Sequence, residues 1–276
     1  MKLSTIRHGA ALAAAALATT GALGAAAMTP AHAAPISLKI VQHNTDQDKA
    51  RWNRVVTLIA SGSWDAATVQ EVCKGWKDDL VAAHPTWTIA YHEQVAKGDC
   101  PGGAKGNVVI RPGGGSRFGE AFDVPGEDKN FGIACVKFGK AGRTVHACST
   151  HFTVYADNPK EVRLRQARRV KEITAPWIGN GHSVVVGGDL NTTPTAAALN
   201  PVYKYPTTRS SGRFVEAEQL RTGSTGRVGR DTVTGRKIDY VFFSANRTPL
   251  SARGTLTFET PVEGKHKILK ATTTIR

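Results

Sequence analysis

The segment that most limits what this chain folds into is VVVGGDLNTTP, Val184 to Pro194. A run of Val and Gly this apolar reads as a buried strand, yet it ends on Asp189 and Asn191, a carboxylate and an amide two residues apart. Withdrawing a carboxylate from water without partners costs several kcal/mol at least. The strand must therefore hand Asp189 to partners or to a site.

Other strand-like runs end in the same way. Asn44 and Asp46 follow LKIVQH, Glu71 follows ATVQ, His151 ends HACST, Asp239 sits in KIDYVFF, and His266 precedes KILKATTTI. Taken singly, each has an ordinary reading: Asn44 as a turn residue, Asp189 and Asn191 as caps of a short helix near TPTAAAL, Asp239 as the partner of an Arg. Taken together, six strands deliver an acid, an amide or an imidazole at one end, which reads as one converged site. Carboxylates with amide oxygens are the ligands that a hard cation such as Mg²⁺ or Mn²⁺ prefers.

Apolar or alternating runs at ISLKIVQ, WDAATVQ, WTIAYH, GNVVIR, FGIACVKF, TVHACSTH, SVVVGGD, KIDYVFFS and ILKATTTI read as strands. Helical periodicity covers Asp48 to Ala60, Gly75 to Ala83 and Lys160 to Trp177. Many strands with few helices imply an α/β chain of sheets packed face to face with helices outside, not a regular βαβ repeat. In the third helix, Leu164, Ala167, Val170 and Trp177 form the expected inward stripe, and its arginines a solvated face. The basic, Gly/Ser/Thr-rich stretch from Tyr205 to Lys237 reads as a long, partly mobile loop facing the substrate.

Lys2 and Arg7 precede an Ala/Leu-rich run, and AHA at Ala31 to Ala33 is a small-x-small cleavage site. Residues 1–33 are therefore expected to be a signal peptide, and 34–276 a single exported domain. Loss of Lys2 and Arg7 lowers the formal charge from +14 to +12. Such an excess attracts polyanions over about a Debye length. It suits nucleic acid or an anionic membrane surface, or serves solubility alone; of these the expected partner is nucleic acid or another polyanion substrate, with no stable membrane insertion and a monomeric protein. All four cysteines lie beyond Ala33, and an even count in an exported chain argues for disulfides. Three pairings are possible; a hairpin across GKAG would set Cys135 opposite Cys148, which leaves Cys73 with Cys100.

The ordered set HNTD, VQEV, STHF, GGDLN, KIDYVFFS and GKHKIL resembles the endonuclease/exonuclease/phosphatase superfamily, the deoxyribonuclease I-like group. The resemblance implies a four-layer α/β/β/α sandwich of two mixed sheets with helices on both outer sides. It implies a divalent metal, Mg²⁺ or Mn²⁺, and hydrolysis of a phosphoester by direct attack of water. Carried over by position, Glu71 is the principal metal carboxylate with Asn44 and Asp46 beside it. Asp189 orients or activates the water, and Asn191 steadies phosphate and attacking oxygen. Asp239 fixes His266, which contacts the phosphate, and His151 makes a second contact or acts as leaving-group acid.

Substrate contacts are expected from Asn107 and Arg111 in GNVVIR, from Arg227 and Arg230 in the basic loop, and from Lys265. Lys265 stands where the family usually has an Asp, which argues for one ion. His43 stands where an aromatic residue is common. Three functions are compatible with this: a nuclease, a lipid or inositol-phosphate phosphodiesterase or phosphatase, and a non-catalytic polyanion binder. The first uses both the catalytic set and the charge. No long apolar hairpin of exposed aromatics is present for lipid insertion.

Overall fold

The computed structural model describes residues 34–127, 129–154 and 157–276; the leader read over residues 1–33 lies outside them. The amino-terminal run pairs as β1 (Ile36–Asn44) and leads through α1 (Lys49–Ala60) to a parallel neighbour, β2 (Ala66–Cys73). Parallel neighbours need a crossover, and a helix is the usual one. Asp48 starts α1, its carboxylate accepting from the amides of Ala50 and Arg51 at 2.8 and 3.0 Å. After α2 (Lys74–Ala83) come β3 (Thr88–Ala96) and β4 (Ala104–Arg111). With β11 (Gly254–Glu259) and β12 (Ile268–Ile275) they complete a six-stranded sheet, β11-β12-β1-β2-β4-β3.

The second sheet repeats the plan. Its order is β5-β6-β7-β8-β10-β9, from β5 (Ser116–Ala121), β6 (Gly132–Lys140), β7 (Arg143–His151), β8 (Ser183–Asp189), β9 (Phe214–Glu216) and β10 (Asp239–Ser244). Here too one central pair, β7 and β8, is parallel. Its crossover is α3 (Pro159–Gly179), begun by the Asn158 cap with Pro159 behind it. The fold is the expected sandwich of two mixed sheets with helices outside.

Packing explains the sequence pattern. Leu38, Ile40, Val109, Val136, Val185, Val241 and Leu269 meet between the sheets. Val162, Ala167, Val170 and Ile178 of α3 cover the outer face of the second sheet with Val184, Val186 and Phe242. Trp52, Val55 and Ile59 of α1 cover the first with Val41 and Val69. The glycines that interrupt VVVGGD follow from close approach: a Cβ on Gly187 would stand 2.0 Å from Thr68 Oγ1 of the opposing sheet. Near the site the interface turns polar, with Gln42 donating to Gln70 Oε1 and Gln70 donating to Ser149 Oγ across the sheets.

Three expectations are corrected. β5, β9 and β11 were not anticipated, because they are short or edge strands without a buried alternation. The α3 stripe is Val162, Gln166, Ala167, Val170, Thr174 and Ile178, with Leu164 and Trp177 only partly buried. The Tyr205–Lys237 stretch is not a simple loop: it contains β9, α4 (Ala217–Thr222) and the buried side chains of Arg227 and Lys237. The cysteine expectation holds: the hairpin register sets Cys135 opposite Cys148, and the disulfides are Cys135–Cys148 and Cys73–Cys100.

Candidate active site

In open α/β sheets, side chains at the carboxyl ends of parallel strands are free of the ladder and face a crevice. Both parallel pairs end at the same crevice. The second sheet contributes three residues in one row: His151 pairs with Asp189 across β7 and β8, and Asp239 pairs with Asp189 across β8 and β10. Asp189 is buried, and it answers the problem set by its strand. Its Oδ1 accepts from the Asn191 amide at 2.9 Å and its Oδ2 from Asn44 Nδ2 at 3.0 Å. The Nε2 atoms of His151 and His266 each stand 3.7 Å from Oδ2. Burial, then Asp239, push the Asp189 carboxyl above its ordinary range, against the pull of both histidines.

His266 arrives from the turn before β12, its Nδ1 2.9 Å from Asp239 Oδ2. Burial disfavours its charged form, but Asp239, Asp189 and Glu71 outweigh burial and raise it to about 9. His266 is therefore an imidazolium at neutral pH. The tautomer of a neutral His151 follows from its neighbour. Asn191 Nδ2 donates to the Phe152 carbonyl at 3.0 Å, which fixes the amide's orientation, and its other N–H points to His151 Nε2 at 3.0 Å. His151 Nε2 is then an acceptor and the proton sits on Nδ1. Both N–H bonds of Asn191 are committed, so only its Oδ1 is left to meet a ligand.

The first sheet's contribution is built differently. Glu71 lies in β2 where the β2–β4 register shifts, with φ +57°. Asp46 and Gln47 follow β1 at φ +51° and +56°, and Asn191 is at +48°. Non-glycine residues rarely adopt this left-handed region and tend to gather at functional sites. Four of the seven such residues among those described surround this crevice. Glu71 accepts from Gln47 Nε2 at 3.0 Å, Lys105 Nζ at 2.5 Å and Asn44 Nδ2 at 3.5 Å. Burial opposes its charge, but His151 and Lys105 hold the carboxyl at about 2. Asp46 meets Lys265 at 2.7 Å and Arg51 at 3.3 Å, and these cations outweigh burial to hold it below its ordinary range.

Two groups offer donors to a metal. Asp189, Asp239 and His266 place donor atoms within 4.8 Å of one another, but His266 Nδ1 is already hydrogen-bonded to Asp239 and Asp189 already holds Asn44 and the Asn191 amide. Glu71, Asp46 and Asn44 offer oxygens, and each carboxylate already attracts an ammonium. Their donor set fits a hard divalent cation better.

The structure gathers Asn44, Asp46, Glu71, His151, Asp189, Asn191, Asp239 and His266, and leaves other expected residues elsewhere. Asn107 is buried between the sheets, its amide on the Gly132 carbonyl at 3.2 Å. Arg111 holds the Asp65 carbonyl and stacks over Phe138. Arg227 holds Tyr205, Asn200 and Ser210, and Arg230 grips Glu218 and the Leu256 carbonyl. Each of these four makes contacts within the fold, to backbone or to side chains outside the gathered set, although Asn107 Oδ1 and Arg111 Nε are buried without a partner. Lys265 is at the crevice but on Asp46, neither free in solvent nor separate from the candidate metal residues. His43 is buried, and burial first of all drives it down to about 4, so it behaves as a neutral ring in the core. Lys105 and Gln47 were missed. Lys105 enters only because Cys73 pairs with Lys105 beside the bulge, a register no local pattern announces.

The sequence has no match among curated proteins. In structure it is similar to the catalytic domain of human Nocturnin with a bound sulfate anion, at TM-score 0.65 and 13% identity, over 87% of this chain and 95% of that one. It is also similar to D. rerio TDP2 complexed with single strand DNA product, at 0.58 and 14%, over 87% and 99%. An endonuclease/exonuclease/phosphatase from Bacteroides vulgatus gives 0.58 and 19%, over 87% and 100%. At such identities these likenesses establish the fold. The family profile described as "Endonuclease/Exonuclease/phosphatase family" matches residues 41–261, a span that includes every gathered residue except His266. With that match over most of its length, the chain belongs to the Endonuclease/Exonuclease/phosphatase family of phosphoester hydrolases.

Proposed function

We propose that the chain is an exported, divalent-metal-dependent nuclease that cleaves phosphodiester bonds by attack of water and works as a monomer. The observation that carries this reading is Asp189: buried, raised in proton affinity, and held by two amide donors between two imidazoles. A carboxylate so raised accepts a proton from water more readily, and its fixed position favours in-line attack. Asn191 Oδ1 accepts from the same water. Asp239 engages His266 Nδ1, so the imidazolium presents Nε2–H to a phosphate oxygen. Glu71, Asp46 and Asn44 would hold the cation, which would supply neutralisation of charge on the phosphate.

A formal charge of +12 after loss of the leader favours a polyanion, and the TDP2 structure was solved with a single-strand DNA product. The two disulfides are compatible with export. Among the described residues, no helix is long and apolar enough to cross a membrane. The test is residues 34–276 assayed with Mg²⁺, Mn²⁺, Ca²⁺ or EDTA on plasmid DNA, RNA, sphingomyelin and an inositol phosphate. Metal-dependent cleavage of DNA or RNA is expected. Turnover only of sphingomyelin or the inositol phosphate reassigns the substrate, and no turnover of any of them removes the enzyme reading.

A further inference from the structure

We propose that Thr232 is a positioning residue of the candidate centre, setting the spacing of Asp239 and His266 through the backbone on either side of the pair. This rests on the hydrolase reading above and deepens it. His266 Nδ1 lies 2.9 Å from Asp239 Oδ2, yet the two residues come from opposite sheets. Asp239 opens β10, and His266 stands just before β12. Ladder hydrogen bonds run only between neighbouring strands of one sheet, so another link must set the spacing of this pair.

Thr232 supplies that link. It is wholly buried, and its Oγ1 accepts from two successive amides, those of Ile238 and Asp239, at 3.0 Å each. A hydroxyl oxygen has two lone pairs, and both are used here. Its carbonyl accepts from the Lys267 amide at 2.8 Å. The Asp239 amide belongs to the rigid peptide plane that enters the Asp239 Cα, and the Lys267 amide to the plane that leaves the His266 Cα. One residue therefore fixes one plane beside each member of the pair. A threonine that only stabilised its own turn would need no bond to Lys267.

Thr232 is itself held. Its amide donates to the Arg236 carbonyl at 3.0 Å, Val233 and Arg236 bridge antiparallel, and Gly235 closes the turn between them at φ +70°. Lys237 anchors the returning limb, its Nζ 3.2 Å from Oε1 of the buried Glu216 and 4.7 Å from the centre of the Tyr240 ring. Lys267 adds a second tie, its Nζ donating to the Asp231 carbonyl at 3.0 Å. The short hairpin from Asp231 to Lys237 is thus a clamp between the sheets where the Asp239–His266 pair forms. Reacting groups gain from such support, because a misplacement of about 1 Å can cost about a hundredfold in rate.

Thr232→Val keeps the shape and removes the hydroxyl, leaving two buried amides without their acceptor, whereas Thr232→Ser keeps the hydroxyl. Both are compared with the parent as mature protein with Mg²⁺ or Mn²⁺ on DNA and RNA. Thr232→Val is expected to lower kcat about 10- to 100-fold while KM changes less than about threefold, and Thr232→Ser to restore kcat to within about threefold. Arg227→Ala, whose contacts lie outside the gathered residues, is the control for lost stability. In EDTA, the downfield proton NMR signal of His266 Nδ1–H is expected to shift or exchange away in Thr232→Val and to return in Thr232→Ser. Thr232 is not a positioning residue if Thr232→Val leaves that signal unchanged, if the loss falls on KM instead of kcat, or if Arg227→Ala matches the loss at a similar melting temperature. Hydrogen exchange in the parent decides whether or not any variant folds. The amides of Ile238, Asp239 and Lys267 are expected to share one level of protection, and a Lys267 amide that exchanges as fast as an open loop overturns the clamp. Absence of turnover in the parent removes the nuclease reading instead, while the imidazole signal and the exchange rates still decide the role of Thr232.

Discussion

The two halves of the crevice are made by opposite means. In the second sheet, His151, Asp189 and Asp239 stand side by side by strand register alone, all nearly or wholly buried. In the first, Glu71 and Asp46 depend on a register shift and on left-handed backbone, and each rests on a lysine. Register is fixed by the hydrophobic pattern of entire strands. A bulge re-aims one side chain locally. The first construction suits groups that must keep one position through a proton transfer. The second suits carboxylates whose positive partner is exchanged when a cation arrives.

The largest expected effect separates the halves by their response to metal. Asp189→Asn removes the proton acceptor, and kcat should fall by about 10²- to 10⁴-fold at any metal concentration. Glu71→Gln should be comparably severe at low metal but recover in part as Mn²⁺ is raised, since Asp46 and Asn44 remain. Titrating Mn²⁺ against activity for both variants checks this. Equal recovery in both would erase the distinction between the halves.

Next in size is the pH dependence of the register-built half. His266 is raised to about 9, so its proton is held more tightly in the folded protein than in the unfolded chain. Its contribution to stability is complete below the ordinary imidazole value of about 6.5 and is lost as pH rises through about 9. The upper bound is on the order of 3 kcal/mol. Urea unfolding from pH 6 to pH 10 should show that slope, and Asp239→Asn should flatten it. An NMR titration that places His266 near 6.5 in the parent protein would contradict the assignment.

How far the sequence disclosed each half follows from the same contrast. β8 and its Asp189 were legible because three valines and two glycines leave one reading for the strand and none for an isolated carboxylate. The order of STHF, GGDLN and KIDYVFFS carried the rest of the second sheet. Lys105 was illegible, because a lysine two residues before Asn107 acquires meaning only when β4 is laid beside the bulge in β2. The Tyr205–Lys237 stretch misled for a related reason. Its Gly, Ser and Thr content reads as loop, while the partners that bury Arg227, among them Asn200 and the ring of Tyr203, lie upstream of it.

A smaller effect is expected where a lysine competes with metal. Lys105→Met removes the ammonium from Glu71 and should tighten Mn²⁺ binding, about three- to tenfold by calorimetry at low salt. Lys265→Met should do less, because Lys265 is half-exposed, where ion pairs are weak, and Asp46 keeps Arg51. Weaker Mn²⁺ binding after Lys105→Met would mean that the ammonium supports the site and does not occupy it.

The smallest effect on function is expected at Arg227 and Arg230, the residues that composition alone would have placed on nucleic acid. The Arg227 guanidinium is buried, donates to Asn200 Oδ1 at 2.8 Å and stacks 4.5 Å over Tyr203. Arg230 holds both oxygens of Glu218 and lies 4.3 Å over the Phe258 ring. A guanidinium so engaged has little left with which to neutralise a phosphate. Each phosphate contact contributes about −0.9 to the slope of log K against log salt for duplex DNA. Arg227→Ala with Arg230→Ala should therefore leave that slope unchanged while lowering the melting temperature. Lys97→Gln with Lys129→Gln, beside Glu71 and His151, should make it shallower by about one to two contacts. Fluorescence anisotropy over a range of NaCl concentrations measures both. A slope that flattened for the arginine pair and not for the lysine pair would move the nucleic-acid surface from the Glu71 side of the crevice to the Tyr205–Lys237 stretch.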